Sequence, residues 1–127
     1  TPPPPTALGI IKLIALPGVG PIGDINVFAV DAADAEVSIM IAEARFRGHG
    51  HAAAALRLAV QYVARCYPGV ARLVARIAAD NAPSQRLFAR AGFQHAADCP
   101  VFRERLYAYA LPGRPLSGPA PAPPPRP

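Results

Sequence analysis

Apolar residues fall into three short runs near the start of the chain, and glycine and proline separate the first two of them. The runs over 8–16 and 23–30 are rich in β-branched residues and flank the stretch PGVGPIG, which predicts two strands joined by a turn. The run over 36–42 alternates, with apolar residues at odd positions and Glu, Ser and Met at even positions, which predicts a third strand.

After the third strand the pattern changes to a helical period. Leu56, Val60 and Val63 recur at helical spacing, and a later segment places Pro83 near its start and Gly92 just past its end, which is typical of a helix. The predicted elements are a helix over 51–66, a strand over 72–78, a short helix within 81–93 and a strand over 101–111. The order βββαβαβ predicts a mixed α/β (α+β) domain.

The two ends of the chain differ from this patterned region. Residues 1–7 and the tail over 112–127 are rich in proline and lack apolar periodicity, so we expect both to be disordered. The remaining region, 8–111, is one domain of roughly 100 residues, enough for a small core. Because the chain starts at Thr1 and shows no signal peptide, we expect a fragment or a processed product.

Composition argues against several classes of protein. The chain has no run of eighteen strongly apolar residues, so we expect no membrane partner. Cys66 and Cys99 form neither a CxxC pair nor a disulfide framework, which indicates a reducing, cytoplasmic setting. The net charge of +5 suits an anionic ligand, but the arginines are scattered and no recognition motif is present, so we expect no nucleic-acid partner.

Candidate chemistry is concentrated where the third strand meets the first helix, in the sequence RGHGHA (47–52). The first N–H groups of a helix lack partners within the helix and carry partial positive charge, so they attract anions. Gly48 and Gly50 can adopt backbone angles closed to other residues and allow a phosphate to approach closely, and Arg47 adds a cation. The loop therefore predicts a phosphate-binding site.

Two common phosphate motifs fit this loop poorly. The dinucleotide fingerprint G-x-G-x-x-G/A matches formally, but the residues EARFR separate the strand from the glycines, and 68–79 contains no acidic residue. The nucleoside-triphosphate loop requires Gly-Lys-Ser/Thr, and Lys12 is the only lysine.

The loop instead resembles the R-G-x-G-x-G/A loop of the GCN5-related N-acetyltransferases (GNAT), which binds the pyrophosphate of acetyl-CoA. A second segment, NAPSQRLFARAGF (81–93), resembles that family's N-x-x-S-x-x-L-Y-x-x-x-G-F segment and follows a strand in the same order. Together with GDINVF, EVSIMIAE and CPVFRERLYAY, these segments resemble the N-acetyltransferase-nine subfamily of tubulin N-acetyltransferases. The resemblance extends over about residues 10–110.

This resemblance implies a fold and a reaction. The fold is a mixed, mostly antiparallel sheet with two flanking helices, here without the strand and two helices that normally precede the hairpin. The reaction is transfer of acetyl from acetyl-CoA to a primary amine by direct attack on the thioester. The implied acceptor is a protein N-terminus, and the subfamily resemblance suggests that of tubulin. Since the absent elements help to form the acceptor groove, an inactive remnant that binds CoA or a protein partner is the alternative.

The resemblance also assigns cofactor contacts by position. Met40 and Ile41 would offer backbone groups to the pantetheine arm. Asn81 would bind that arm or cap the second helix, two roles that can coexist. Phe88 stands where many relatives carry a tyrosine that protonates the leaving thiolate, so we expect it to pack against cofactor or core. The implied cofactor-binding residues are Met40, Ile41, Arg47, Gly48, His49, Gly50, His51, Ala52, Asn81, Ser84 and Phe88.

Two further candidates concern proton transfer and metal binding. By family analogy Glu36 is the best-placed base for the attacking amine, and the alternative is a solvated glutamate at a strand end. His49 and His51 could bind a metal with His95 and Cys99, but this requires two distant loops to meet at a spacing unlike any familiar zinc pattern. We therefore expect no metal.

Overall fold

The computed structural model describes residues 9–31 and 33–116, which form one six-stranded sheet and two α-helices. The elements are β1 (Gly9–Leu16), β2 (Gly20–Ala29), β3 (Asp34–Ile41), α1 (His51–Cys66), β4 (Arg72–Ala78), α2 (Ala82–Arg90), β5 (Gln94–Cys99) and β6 (Glu104–Ala110).

The strands are arranged in the order β1-β2-β3-β4-β6-β5. All neighbours are antiparallel except β3 and β4, which are parallel as expected for strands joined through a helix. The mixed, mostly antiparallel sheet with two helices confirms the predicted fold class.

One strand was not predicted. β5 turns the predicted order βββαβαβ into βββαβαββ, and the final strand starts later than residue 101 because a 3₁₀ turn over Pro100–Phe102 precedes it. The sequence of β5, QHAADC, has no apolar alternation, since the strand lies at the sheet edge and none of its residues is fully buried. Backbone pairing with β6, rather than burial, defines this strand.

The pairing of β3 with β4 is short. Among the described residues it joins only Asp34 with Arg72, Ala35 with Leu73 and Glu36 with Val74. Beyond Glu36, β3 continues to Ile41 while paired with β2 alone, and β4 continues while paired with β6. The sheet therefore opens between its two central strands, and backbone groups of the second half of β3 line the opening.

The core lies on the face of the sheet that carries both helices. Val37 of β3 and Leu73 of β4 pack in one cluster with Leu56 of α1 and Phe88 of α2, all of them almost completely buried. Full burial of such a side chain contributes about 1.5–3 kcal/mol. The strand residues of this cluster alternate with those facing the other way, because successive side chains of a strand point to opposite faces.

The opposite face is held at the β3–β4 junction by two buried ion pairs. The Arg72 guanidinium donates to the Asp34 carboxylate at 2.7 Å, and two residues further along β3 the Arg76 guanidinium lies 3.1 Å from the Glu36 carboxylate. All four side chains are less than 10 % exposed. Removing one member of such a pair leaves a buried charge poorly compensated, which is strongly destabilising.

The first residues after β6 pack on the end of α1. The Arg114 guanidinium donates to the backbone oxygens of Ala64, Tyr67 and Val70, where carbonyl groups at a helix C-terminus favour a cation. Of the predicted proline-rich ends, 1–7 and 112–127, residues 1–7 and 117–127 lie outside the described residues, whereas 112–116 are described. Within the described part of the chain, no helix is long and apolar enough to cross a membrane.

Candidate functional site

A cavity of about 690 Å³ lies beside the opening in the sheet. Its walls are the end of β3, the loop that follows, the first turn of α1 and one side of α2. The predicted cofactor-binding residues that line it are Met40, Ile41, Arg47, Gly48, Gly50, His51, Ala52, Asn81 and Ser84. The fold thus joins two sequence segments that are separated by a helix and a strand.

The two loop glycines have the backbone angles that their residue type permits. Gly48 and Gly50 have φ values of 79° and 83°, in the left-handed region that strongly favours glycine. A Cβ atom at either position would meet no heavy atom of residues 9–31 and 33–116 within 4 Å. The glycines are therefore required by the backbone conformation, and their missing side chains leave this wall of the cavity open to a ligand.

The N-terminus of α1 lacks the cap that most helices have. Gly50 has no side chain to accept a hydrogen bond, and the first turn contains no acidic residue. The first helical bond runs from the Ala54 N–H to the Gly50 oxygen at 3.0 Å, so the N–H groups of the preceding residues have no partner within the helix. These N–H groups and the helix dipole favour an anion at this end of the cavity.

Arg47 lines the cavity but already has partners in the loop. Its Nε and Nη2 atoms donate to the Ile41 oxygen at 3.1 and 3.0 Å, and Nη2 also lies 3.4 Å from the Ala42 oxygen. The guanidinium therefore fixes the loop to the end of β3. The sequence-based interpretation, in which Arg47 is mainly a cation for the phosphate, omits this structural contact.

The two loop histidines differ in position. His51 lines the cavity, whereas the His49 ring lies against the backbone with Nε2 at 3.1 Å from the Arg45 oxygen and is absent from the cavity wall. His95, the distant metal ligand considered above, pairs instead with Asp98 at 2.7 Å. Over residues 9–31 and 33–116, no three His, Cys, Asp or Glu side chains are grouped closely enough to hold a metal ion.

Asn81 caps α2 and also lies at the cavity wall, and its contact with the pantetheine arm stays a prediction. Its Oδ1 atom accepts a hydrogen bond from the Ser84 N–H at 3.2 Å, which makes it the N-cap of α2, and the residue also lines the cavity. The cap holds the amide at the cavity wall, where its remaining polar groups can face a ligand.

Phe88 does not line the cavity. It is 2 % exposed and packs edge-to-face on Phe93, with ring centroids 5.0 Å apart. Its burial agrees with the core position predicted for it, because helical periodicity turns this side of α2 towards the sheet, and contact with the cofactor stays a prediction. The same burial means that the residue matching the family tyrosine points away from the cavity.

Glu36 is not a solvated strand-end residue, so that alternative is wrong. It is 6 % exposed, ion-paired with Arg76 and placed on the sheet face opposite the helices, at the last parallel pair before the sheet opens. It does not line the cavity itself. Its catalytic role stays a prediction, with the position at the opening in its favour.

The cavity residues that the sequence analysis did not name include two arginines. Arg86 and Arg90 lie on the wall formed by α2, together with Pro83 and Leu87. The spacing 83, 86, 87 and 90 is one stripe of a helix, so the helix prediction and the position of Asn81 together could have found them.

Comparison with known proteins agrees with this architecture. The model of the family described as "Acetyltransferase (GNAT) domain" matches residues 6–94. The chain is 40% identical over 86 residues to an N-acetyltransferase 9-like protein of Nematostella vectensis and 34% identical over 86 residues to alpha/beta-tubulin-N-acetyltransferase 9 of Homo sapiens. These matches cover 65% of this chain but 42% and 41% of the two relatives, so the chain spans less than half of their length.

A solved structure shows the same fold. A GNAT family acetyltransferase from Elizabethkingia anophelis, with acetyl-CoA bound, matches with a TM-score of 0.71 and 17% identity, over 81% of this chain and 76% of that one. With a family match over most of the sequence, the glycine loop at the uncapped helix and the opening between the central strands, the chain belongs to the GNAT acetyltransferase family.

Proposed function

We propose that this domain binds acetyl-CoA in the cavity and transfers its acetyl group to a primary amine. One observation carries the proposal: two segments that separately resemble GNAT motifs line one cavity, with an uncapped helix N-terminus between them. Acetyl-CoA bound to the Elizabethkingia neighbour agrees with this assignment.

The cavity offers groups suited to each part of the ligand. The unpaired N–H groups at the start of α1 suit the diphosphate. The edge of β3 that has no partner on β4 beyond Glu36 suits the amides of the pantetheine arm. Met40 and Ile41 line this side of the cavity, where the Ile41 oxygen also accepts from Arg47, and Asn81 and Ser84 line the other side. Both Ile41, which faces the core, and Met40, which faces away from it, line the cavity, so the space extends through the opening towards the second sheet face.

Transfer requires the acceptor nitrogen to be neutral and close to the thioester carbonyl. The amine lone pair forms the new C–N bond, the C–S bond breaks, and the electron pair leaves with the thiolate. The proton lost by the amine needs an acceptor, and we assign this role to Glu36, directly or through a water, because it lies on the second face where the sheet opens. Phe88 has no proton to give, so the thiolate takes its proton from solvent.

The acceptor is a protein N-terminus in this proposal. One relative is named a tubulin N-acetyltransferase, and we extend that acceptor to this chain, which would place the reaction in the cytoplasm. A peptide that starts with the tubulin N-terminal sequence is the acceptor to test first.

The proposal is tested by following CoA thiol release with acetyl-CoA and three peptides: one with a free α-amine, the same peptide N-terminally acetylated, and one with a lysine side chain as its single amine. Release with the first peptide alone is the expected result. Equal rates with all three, matching the rate of hydrolysis without peptide, would contradict amine transfer.

A second candidate is a domain that binds CoA without transferring acetyl. It is favoured by the engagement of both Glu36 oxygens by Arg76, with Nε 3.1 Å from one and 3.3 Å from the other. Acetyl-CoA binding without thiol release on any peptide would support this candidate over the transferase.

A further inference from the structure

Helix α2 presents two arginines to the cavity at positions that the family motif leaves unspecified. Arg86 and Arg90 are exposed and lie four residues apart, so their side chains leave the same side of the helix. Within residues 9–31 and 33–116, neither guanidinium has a hydrogen bond, an ion pair or a ring contact.

The charge of the cavity wall is unbalanced. Its charged side chains are Arg47, Arg86 and Arg90, and no aspartate or glutamate of the described chain lines it. The Arg47 guanidinium is held by the Ile41 and Ala42 oxygens, so the cations available to a ligand on this wall are the two of α2. A wall of this kind suits an anion with more than one oxygen, because a guanidinium offers paired donors.

Position along α2 indicates which anion. Asn81 and Ser84 lie at the N-terminal end of the helix, next to the proposed position of the pantetheine arm. Arg86 and Arg90 lie towards its C-terminal end, and each residue along the helix advances about 1.5 Å. The diphosphate has its own site at α1. The anionic group of the ligand that remains for the arginines of α2 is therefore at its nucleotide end.

We propose that Arg86 and Arg90 bind the 3′-phosphate of CoA, an assignment that rests on the proposed function. The site then selects the phosphorylated cofactor over 3′-dephospho-CoA. The contact is a binding contact remote from the reacting thioester, so it affects affinity and leaves the chemical step unchanged.

Calorimetry with CoA and 3′-dephospho-CoA tests this assignment, using the wild-type protein, the double variant Arg86→Gln/Arg90→Gln and the control Arg57→Gln. Arg57 is an exposed arginine of α1 outside the cavity, so its replacement removes charge without removing a contact. We expect wild type and control to bind CoA about tenfold or more tightly than dephospho-CoA, and the double variant to lose that preference.

The outcomes distinguish failure of this assignment from failure of the proposed function. Equal affinity of wild type for the two ligands, or a preference that survives in the double variant, would overturn the 3′-phosphate assignment and leave CoA binding intact. Binding of neither ligand by the wild type would overturn the proposed function and, with it, the assignment. A double variant with wild-type affinity for dephospho-CoA shows in the same titration that its cavity is folded.

Discussion

At the scale of single residues, Glu36 illustrates how position changes the meaning of a side chain. The sequence presents it as the first polar residue of an alternating strand. The structure buries it against Arg76, at the point where β3 and β4 separate. The neighbouring Asp34–Arg72 pair has the same chemistry and burial two residues further from the opening. The two pairs therefore form a natural comparison between structural and catalytic contributions.

Glu36→Gln should lower kcat by about 100-fold, because a neutral amide cannot accept the amine proton. The measurement is steady-state thiol release with a free-amine peptide, alongside the melting temperature. Asp34→Asn is the matched control: it perturbs an equivalent buried pair and should lower the melting temperature without a comparable loss of kcat. A similar loss of kcat in both variants would show that Glu36 acts only through the fold.

Tyr67 has a hydroxyl with no hydrogen-bond partner in the part of the chain that the structure describes. Tyr67 directly follows α1, and its side chain is completely buried. Among described residues no group hydrogen-bonds its oxygen. Burial raises the pKa of Tyr67 above its ordinary value. The folded protein therefore keeps this proton at pH values where the unfolded chain begins to lose it, and stability falls as pH rises above about 10.

Tyr67→Phe should leave stability at pH 7 unchanged or slightly higher, within about 1 kcal/mol, because it removes a polar atom that has no partner. Above about pH 10 the variant should lose less stability than wild type does. Urea unfolding at pH 7 and pH 10.5 measures both effects. A large loss at pH 7 would mean that the hydroxyl has a partner in solution.

At the scale of elements, the hairpin of β2 and β3 depends on one close approach. A Cβ atom on Gly23 would lie 2.0 Å from the Met40 oxygen and 3.0 Å from the Ile41 Cα. Both contacts are with backbone, so relief requires β3 to move. Those residues form the wall of the cavity, which links the packing of this hairpin to ligand binding.

Gly23→Ala should destabilise the domain by about 1–3 kcal/mol, the range for overpacked sites, and weaken acetyl-CoA binding through displacement of β3. Gly9→Ala is the control, because a Cβ atom there meets no atom of the described residues within 4 Å. Chemical denaturation of both variants measures the difference. Equal stability of Gly23→Ala and Gly9→Ala would show that the strands do not approach so closely.

Elements with strong local signals were predicted well. The helix over 51–66 and the strand over 72–78 have the predicted limits, since glycine precedes the helix and Tyr-Pro-Gly follows it. The strand β5 carried no such signal, because an edge strand without buried residues shows no apolar alternation. The motif resemblance identified most of the cavity wall, because the end of β3, the glycine loop and the start of α2 come together there.

Contacts between distant segments could not be predicted in the same way. The Glu36–Arg76 pair joins residues 40 positions apart and depends on the β3–β4 register. The bonds of Arg47 to the end of β3 depend on how the loop turns back. In each case the residue type was informative, but its partner follows only from tertiary packing.

At the scale of the whole molecule, the domain is a sheet opened at its centre with a cationic cavity beside the opening. Part of the positive charge behind the net charge of +5 lies on the cavity wall, where it favours an anionic ligand. The glycine loop, the uncapped α1 and the capped α2 each have a simple local explanation. Their meeting at one cavity is what a phosphate-containing thioester ligand requires.

The most direct test of this account is calorimetric titration of acetyl-CoA into the wild-type protein, Gly50→Glu and His49→Ala. We predict saturable one-to-one binding by wild type and a loss of affinity of more than about 100-fold in Gly50→Glu, because the variant places a carboxylate at the open wall and a non-glycine residue at an unfavourable φ. In His49→Ala the affinity should change by less than about threefold. The absence of wild-type binding at millimolar acetyl-CoA, or an unaltered affinity in Gly50→Glu, would contradict the account.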